Sequence, residues 1–151
     1  MRSGLIDTNL LLYAANEDAP EHSTAKAFLE SATASPETWF LTDGILYEFL
    51  RVATHPKVFP RPLDWNEALD FLDPLIEADN LQRLQPGENH WKTLRALLPL
   101  LTHPSGNLFF DIRTATLMRE HGVRLIYTTD TDFLQFPDIE AVNPLNGLGQ
   151  K

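Results

Sequence analysis

The chain has 151 residues, no cysteine, and 21 Asp and Glu against 12 Lys and Arg, for a net charge of −9. That length suits one hydrophobic core, and the missing cysteines exclude disulfides, thiolate catalysis and cysteine-bound zinc together. The acidic balance argues against a broadly basic nucleic-acid-binding surface, unless the acids gather around a divalent cation that inverts the local charge.

The apolar Gly4-Leu5-Ile6 leads into Asp7-Thr8-Asn9 and then Leu10 to Ala15, which reads as strand, turn and helix. That apolar run is far shorter than a secretory core, and no apolar stretch reaches the roughly 18 residues of a membrane span, so the expectation is a cytoplasmic protein with no membrane association. Ala25, Phe28, Leu29 and Ala32 predict a helix after Pro20, and Thr38 to Leu41 predicts a strand. Thr42-Asp43 is suited to cap a helix from Gly44 to about Ala53 with an apolar face of Ile45, Phe49 and Val52.

Asp64 can cap a helix carrying Ala68, Leu69, Leu72, Leu75 and Ile76, and Leu81 to Leu84 reads as a strand. A helix is expected over Glu88 to Leu101, kinked at Pro99, with Trp91 and Leu94 on its apolar side. Asn107 is the expected cap of a helix from Leu108 to His121, closed by Gly122. Val123 to Tyr127 forms the last expected strand, followed by Thr128-Thr129-Asp130-Thr131-Asp132. Strands alternating with helices predict an α/β fold with a mainly parallel central sheet flanked by helices. One domain is expected over 1–145, with a loose C-terminal tail over 146–151.

In a parallel sheet, Asp7 after the first strand and Asp130 after the last lie at the same carboxyl edge, where open α/β folds bind ligands. Asp111 in the first turn of its helix can join them, and Glu48 lies close enough to that edge to reach in. Asp132 is a fifth candidate. Left alone, such a cluster repels itself; oxygen donors without His or Cys select a hard cation, Mg²⁺ or Mn²⁺. The chemistry this suits is phosphodiester hydrolysis.

Each acid also has an ordinary structural role open to it. Asp7 can cap a helix, Asp111 can answer a helix dipole, Glu48 can pair with Arg51 three residues on, and Asp130 and Asp132 can be turn residues. Among the arginines, Arg51, Arg113, Arg119 and Arg124 are candidates for phosphate contacts. The five histidines show no metal-ligand spacing, and Trp39, Trp65 and Trp91 are expected in a core or a dimer interface rather than as base-stacking platforms. A calcium loop starting at Asp130 fails, with Gln135 and Ala141 where glycine and glutamate are needed. Two alternatives stand beside a nuclease: a phosphoaspartate-type phosphatase or receiver, for which the four lysines are poorly placed, and a non-catalytic protein-binding domain of the same fold.

Four segments in order resemble the motifs of the PIN-domain ribonucleases, and within them the VapC-type toxins of bacterial toxin–antitoxin pairs. They are Leu5 to Leu12, Leu46 to Val52, Gly106 to Asp111 and Leu125 to Phe133. His22 with Ala25 and Ala27, and Pro56-Lys57-Val58-Phe59, resemble one VapC subgroup. The resemblance implies a three-layer PIN-like fold, metal-binding acids at Asp7, Glu48, Asp111 and Asp130, and supporting polar groups at Thr8, Asn9 and Thr129. It further implies Mg²⁺-dependent cleavage of structured RNA such as transfer or ribosomal RNA, homodimerisation, and inhibition by a VapB-type antitoxin. Arg113 and Thr114 depart from the small apolar residues usual after the third acid, which bears on the substrate groove.

Overall fold

A computed structural model describes residues 1–57 and 59–146. The expected tail over 146–151 therefore lies, Asn146 apart, outside the described residues, as does Val58. Among the described residues five strands, β1 (Leu5–Ile6), β2 (Trp39–Thr42), β3 (Leu81–Leu84), β4 (Leu125–Tyr127) and β5 (Glu140–Val142), form one sheet in the order β3-β2-β1-β4-β5. Every pairing is parallel. β1 is central, so Leu5 and Ile6 are fully buried, in keeping with two consecutive apolar residues and no alternation.

Among the described residues six α-helices flank the sheet: α1 (Thr8–Ala15), α2 (His22–Ala34), α3 (Asp43–Ala53), α4 (Trp65–Glu77), α5 (His90–Leu97) and α6 (Leu108–His121). α1 packs on α2 and α3, α3 on α4, and α5 on α6. The Thr42 hydroxyl accepts the Ile45 N–H and starts α3, whose buried face is Ile45, Leu46, Phe49 and Ala53. Asp64 and Glu67 form a reciprocal capping box on α4. α6 buries residues nearly all round, Thr114 and Thr116 included, and each of these hydroxyls donates to the carbonyl four residues earlier. Gly122 closes α6 in the left-handed conformation, φ 70°. Among the described residues no helix is long and apolar enough to cross a membrane.

Several local expectations need correction. The helix expected to Leu101 ends at Leu97 and tightens into a 3₁₀ turn over Leu98–Leu100, since Pro99 has no N–H for the helical ladder. Asn107 makes no side-chain cap; the chain into α6 is closed by backbone bonds, Phe109 N–H to the Gly106 carbonyl and Phe110 N–H to the Asn107 carbonyl. β5 and a 3₁₀ turn over Thr131–Gln135 were not anticipated. Trp39 is fully buried, whereas Trp65 and Trp91 are exposed and lie outside the core of this chain.

Candidate active site

The strand order runs outward from β1 through β2 to β3 on one side and through β4 to β5 on the other. The chain therefore diverges above the β1–β4 pair, and a crevice opens at their carboxyl ends. Asp7 follows β1 directly and Thr128 follows β4. The Asp7 N–H bonds the Tyr127 carbonyl at 3.0 Å, extending the ladder by one step and setting Asp7 beside Thr128.

Asp7 is 7% exposed and accepts hydrogen bonds on both carboxylate oxygens. Its Oδ1 accepts the Thr8 N–H at 2.8 Å, capping α1. Its Oδ2 accepts the Thr128 hydroxyl at 2.7 Å and the Asn9 amide at 3.3 Å. The same hydroxyl accepts the Asp130 N–H at 2.9 Å, while Asn9 Oδ1 accepts the Thr129 N–H at 3.1 Å. Thr8 and Thr129 thus contribute backbone groups, and the hydroxyl that meets Asp7 belongs to Thr128, which the sequence reading did not single out. Side chains alternate along an extended chain, so only one of two adjacent threonines faces Asp7, and strand register decides which. Capping and site placement are both true of Asp7, one oxygen serving each.

The other acids arrive from three directions. Glu48 is half-buried on α3, between exposed Tyr47 and fully buried Phe49. Asp111 sits in the first turn of α6, which begins at the carboxyl edge because it must return the chain to the start of β4. Asp130 accepts the Asp132 N–H at 2.8 Å and so caps the 3₁₀ turn, holding Asp132 alongside. Carboxylate oxygens of Asp111, Asp130 and Asp132 lie within 4.8 Å of one another.

Burial first, then the negative charges of Glu48 and Asp130, outweigh the Thr128 and Thr8 hydrogen bonds and push the Asp7 carboxyl up to about 6. Burial, followed by the charges of Asp130, Asp7 and Asp132, pushes Asp111 up to about 8. A site that resists its own ionisation, built solely from oxygen donors, fits a hard divalent cation.

The acids line a cleft of about 850 Å³ together with Thr8, Asn9, Arg51 and Arg113. The Glu48–Arg51 pair allowed by sequence does not form: among the described residues neither Arg51 nor Arg113 takes part in an ion pair. A Cβ at Gly44 would lie 2.3 Å from Arg113 Nη1, so glycine at the start of α3 makes room for that guanidinium. Arg119 faces Asp138 instead, at 4.0 Å, and neither it nor Arg124 lines the cleft. No described lysine lines it either, so the phosphoaspartate alternative has no lysine beside the acids among the described residues. Three histidines serve structure: His90 binds Glu120, His22 the Tyr13 carbonyl and His121 the Gln85 carbonyl.

Residues 4–139 match the PIN domain family. Ribonuclease VapC43 of Mycobacterium tuberculosis is 32% identical over 142 residues, spanning 94% of this chain and 95% of that protein. Ribonuclease VapC48 of the same species is 28% identical over 145 residues, spanning 96% and 99%. Among solved structures, M. tuberculosis VapC20, a sarcin–ricin loop cleaving toxin, superposes with a TM-score of 0.64 at 16% identity, covering 90% of this chain and 98% of that one. VapBC2 from Rickettsia felis, bound to a DNA fragment from its promoter, gives 0.65 at 17% identity, covering 92% and 96%.

Proposed function

This chain belongs to the PIN domain family and is a VapC-type endoribonuclease, a hydrolase of phosphodiester bonds; we propose that Asp7, Glu48, Asp111 and Asp130, joined by Asp132, are its catalytic and metal-binding carboxylates. The observation that carries this reading is the buried Asp7 at the β1–β4 divergence, in one cleft with three acids whose oxygens lie within 4.8 Å of each other. These carboxylates would hold a divalent ion, Mg²⁺ or alternatively Mn²⁺, which would supply charge neutralisation and ease ionisation of the water that attacks phosphorus.

The chain's own residues do the positioning. Thr128 and Asn9 fix Asp7, Thr128 also fixes Asp130, and Asp130 in turn fixes Asp132. Arg51 and Arg113, with no carboxylate partner among the described residues, hold RNA phosphates against the repulsion of the acids. Overall, water adds to phosphorus, the bond to the leaving ribose oxygen breaks, and that oxygen takes up a proton.

Residues 1–145 act as one nuclease domain, on structured RNA such as transfer or ribosomal RNA, in the cytoplasm and as a homodimer. A VapB-type antitoxin silences it; the VapBC complex among the structural neighbours supports a partner of that kind. Its inhibitory segment presents a basic side chain to the acid cluster in place of the cation.

The test is Mg²⁺-dependent cleavage of RNA by the purified protein and by Asp7→Asn. The variant is expected to lose about 100-fold or more in rate while still folding. Equal rates would overturn the assignment of these acids.

A further inference from the structure

Two helices enter the cleft carrying the same arrangement of side chains. On α3, Tyr47 precedes Glu48 and Arg51 follows; on α6, Phe110 precedes Asp111 and Arg113 follows. Ring and guanidinium are four residues apart on α3 and three apart on α6, the spacings that share one helix face, with about 5–6 Å between Cβ atoms. All six residues line the same cleft. Tyr47 is 74% exposed and Phe110 68%. Among the described residues neither ring packs against another aromatic ring, and neither guanidinium pairs with a carboxylate.

Each helix therefore offers to the cleft that holds the acids, within one helical turn, an exposed ring and a guanidinium with no carboxylate partner among the described residues. A nucleotide carries the complementary pair, a flat base and a phosphate. Charge makes the rings important. With a net charge of −9 and five acids in the cleft, this protein gains little RNA affinity from phosphate contacts, which need many Lys and Arg. Stacking of bases on aromatic side chains supplies affinity that does not depend on charge.

Resting on the ribonuclease reading, we propose that Tyr47 and Phe110 are stacking surfaces for the bases flanking the scissile phosphate, with Arg51 and Arg113 on the neighbouring phosphates. The substrate is then RNA unpaired at the point of cleavage. A base must leave its partner to lie on a side chain, and a continuous duplex cannot present an unstacked base to each ring.

The experiment uses the full chain and a short unstructured oligoribonucleotide containing 2-aminopurine. Binding is measured on an Asp7→Asn background so that the RNA stays intact. The fluorophore is expected to be quenched on binding. Tyr47→Ala and Phe110→Ala each weaken affinity by about tenfold or more and relieve the quenching, while Tyr47→Phe and Phe110→Tyr restore both. The salt dependence stays unchanged in the ring variants but flattens in Arg51→Gln by about 0.7 in log–log slope, one phosphate contact on a single strand.

Unchanged affinity in both alanine variants, or equal affinity for a fully paired duplex, overturns the proposal. Alanine variants that shift the oligomeric state by light scattering and leave RNA affinity alone also overturn it, assigning the rings to contact with a second copy. Cleavage of total RNA by the unmodified protein is followed in parallel. Cleavage without any effect of the rings sinks the stacking proposal alone, whereas quenching without Mg²⁺-dependent cleavage sinks the ribonuclease reading and leaves stacking standing.

Discussion

Thr128 donates its hydroxyl to Asp7 Oδ2 at 2.7 Å, joining residues 121 positions apart across the β1–β4 seam. Because the Thr128 hydroxyl oxygen also accepts the Asp130 N–H, one side chain orients two acids that reach the cleft from different strands.

Thr128→Val keeps the shape and removes the hydroxyl. It is expected to cost about 1–2 kcal/mol of stability, since Asp7 and the Asp130 N–H each lose a buried partner. It should lower the cleavage rate about 10–100-fold and raise the Asp7 carboxyl still further, because the bond it deletes opposes the effect of burial. Thr128→Ser should retain most of the activity. Thermal melts and a pH–rate profile of the three proteins check this.

Metal-free protein should lose stability as pH rises. Asp7 in the folded state lies at about 6 against an ordinary 3.8, and Asp111 at about 8 against the same 3.8. A carboxyl raised on folding contributes stability that is full below its unfolded value and is lost as pH climbs through the folded one. The fall therefore runs from about pH 4, through 6 for Asp7 and on through 8 for Asp111. For Asp7 the gap corresponds to about 3 kcal/mol. Glu120, lowered on folding, acts in the opposite sense and only at more acid pH. Melting in chelator across this range should show the decline in the wild type and a reduced decline in Asp7→Asn and in Asp111→Asn.

Added Mg²⁺ should reverse that loss. Protons and the cation compete for the same oxygens, so the rise in melting temperature is expected to be larger at pH 8 than at pH 5. At a concentration 100 times the dissociation constant the gain is about 2.7 kcal/mol. The double change Asp130→Asn with Asp132→Asn removes two of the three acids whose oxygens lie within 4.8 Å, and should abolish the Mg²⁺ effect in calorimetry and melting alike.

Two glycines should separate stability from substrate handling. A Cβ at Gly4 would stand 2.7 Å from the Leu125 carbonyl oxygen, a backbone atom of the neighbouring strand, so Gly4→Ala is expected to cost about 1–3 kcal/mol. At Gly44 the obstacle is the far end of Arg113, which can swing aside. Gly44→Ala should therefore melt close to wild type and raise KM for RNA. Denaturation midpoints and steady-state kinetics on both variants distinguish the two outcomes.

Much of the architecture was legible because it is written in near-neighbour interactions. The capping of α3 by Thr42 and α4 by Asp64, the closure of α6 by Gly122, and Asp7 and Asp130 just past apolar strands all follow from residues within a turn of one another. β5 was not legible, because three residues with Glu140 exposed become a strand only by pairing with β4. Asn107 carried a capping signal that the backbone turn before α6 made unnecessary. Arg51 stood three residues from Glu48, yet both line a cleft where tertiary packing leaves the arginine free of an ion pair among the described residues.

The amino-acid order by itself determined the six helices and the first four strands to within a few residues, and which acids sit at their ends, since periodicity and capping act over a few residues. Only the tertiary structure decided that β1 and β4 are neighbours, that Thr128 and not Thr129 meets Asp7, and that the two exposed rings face one cleft. Strand order and register minimise the exposed apolar surface of the whole sheet, a global quantity to which each segment contributes without encoding it locally.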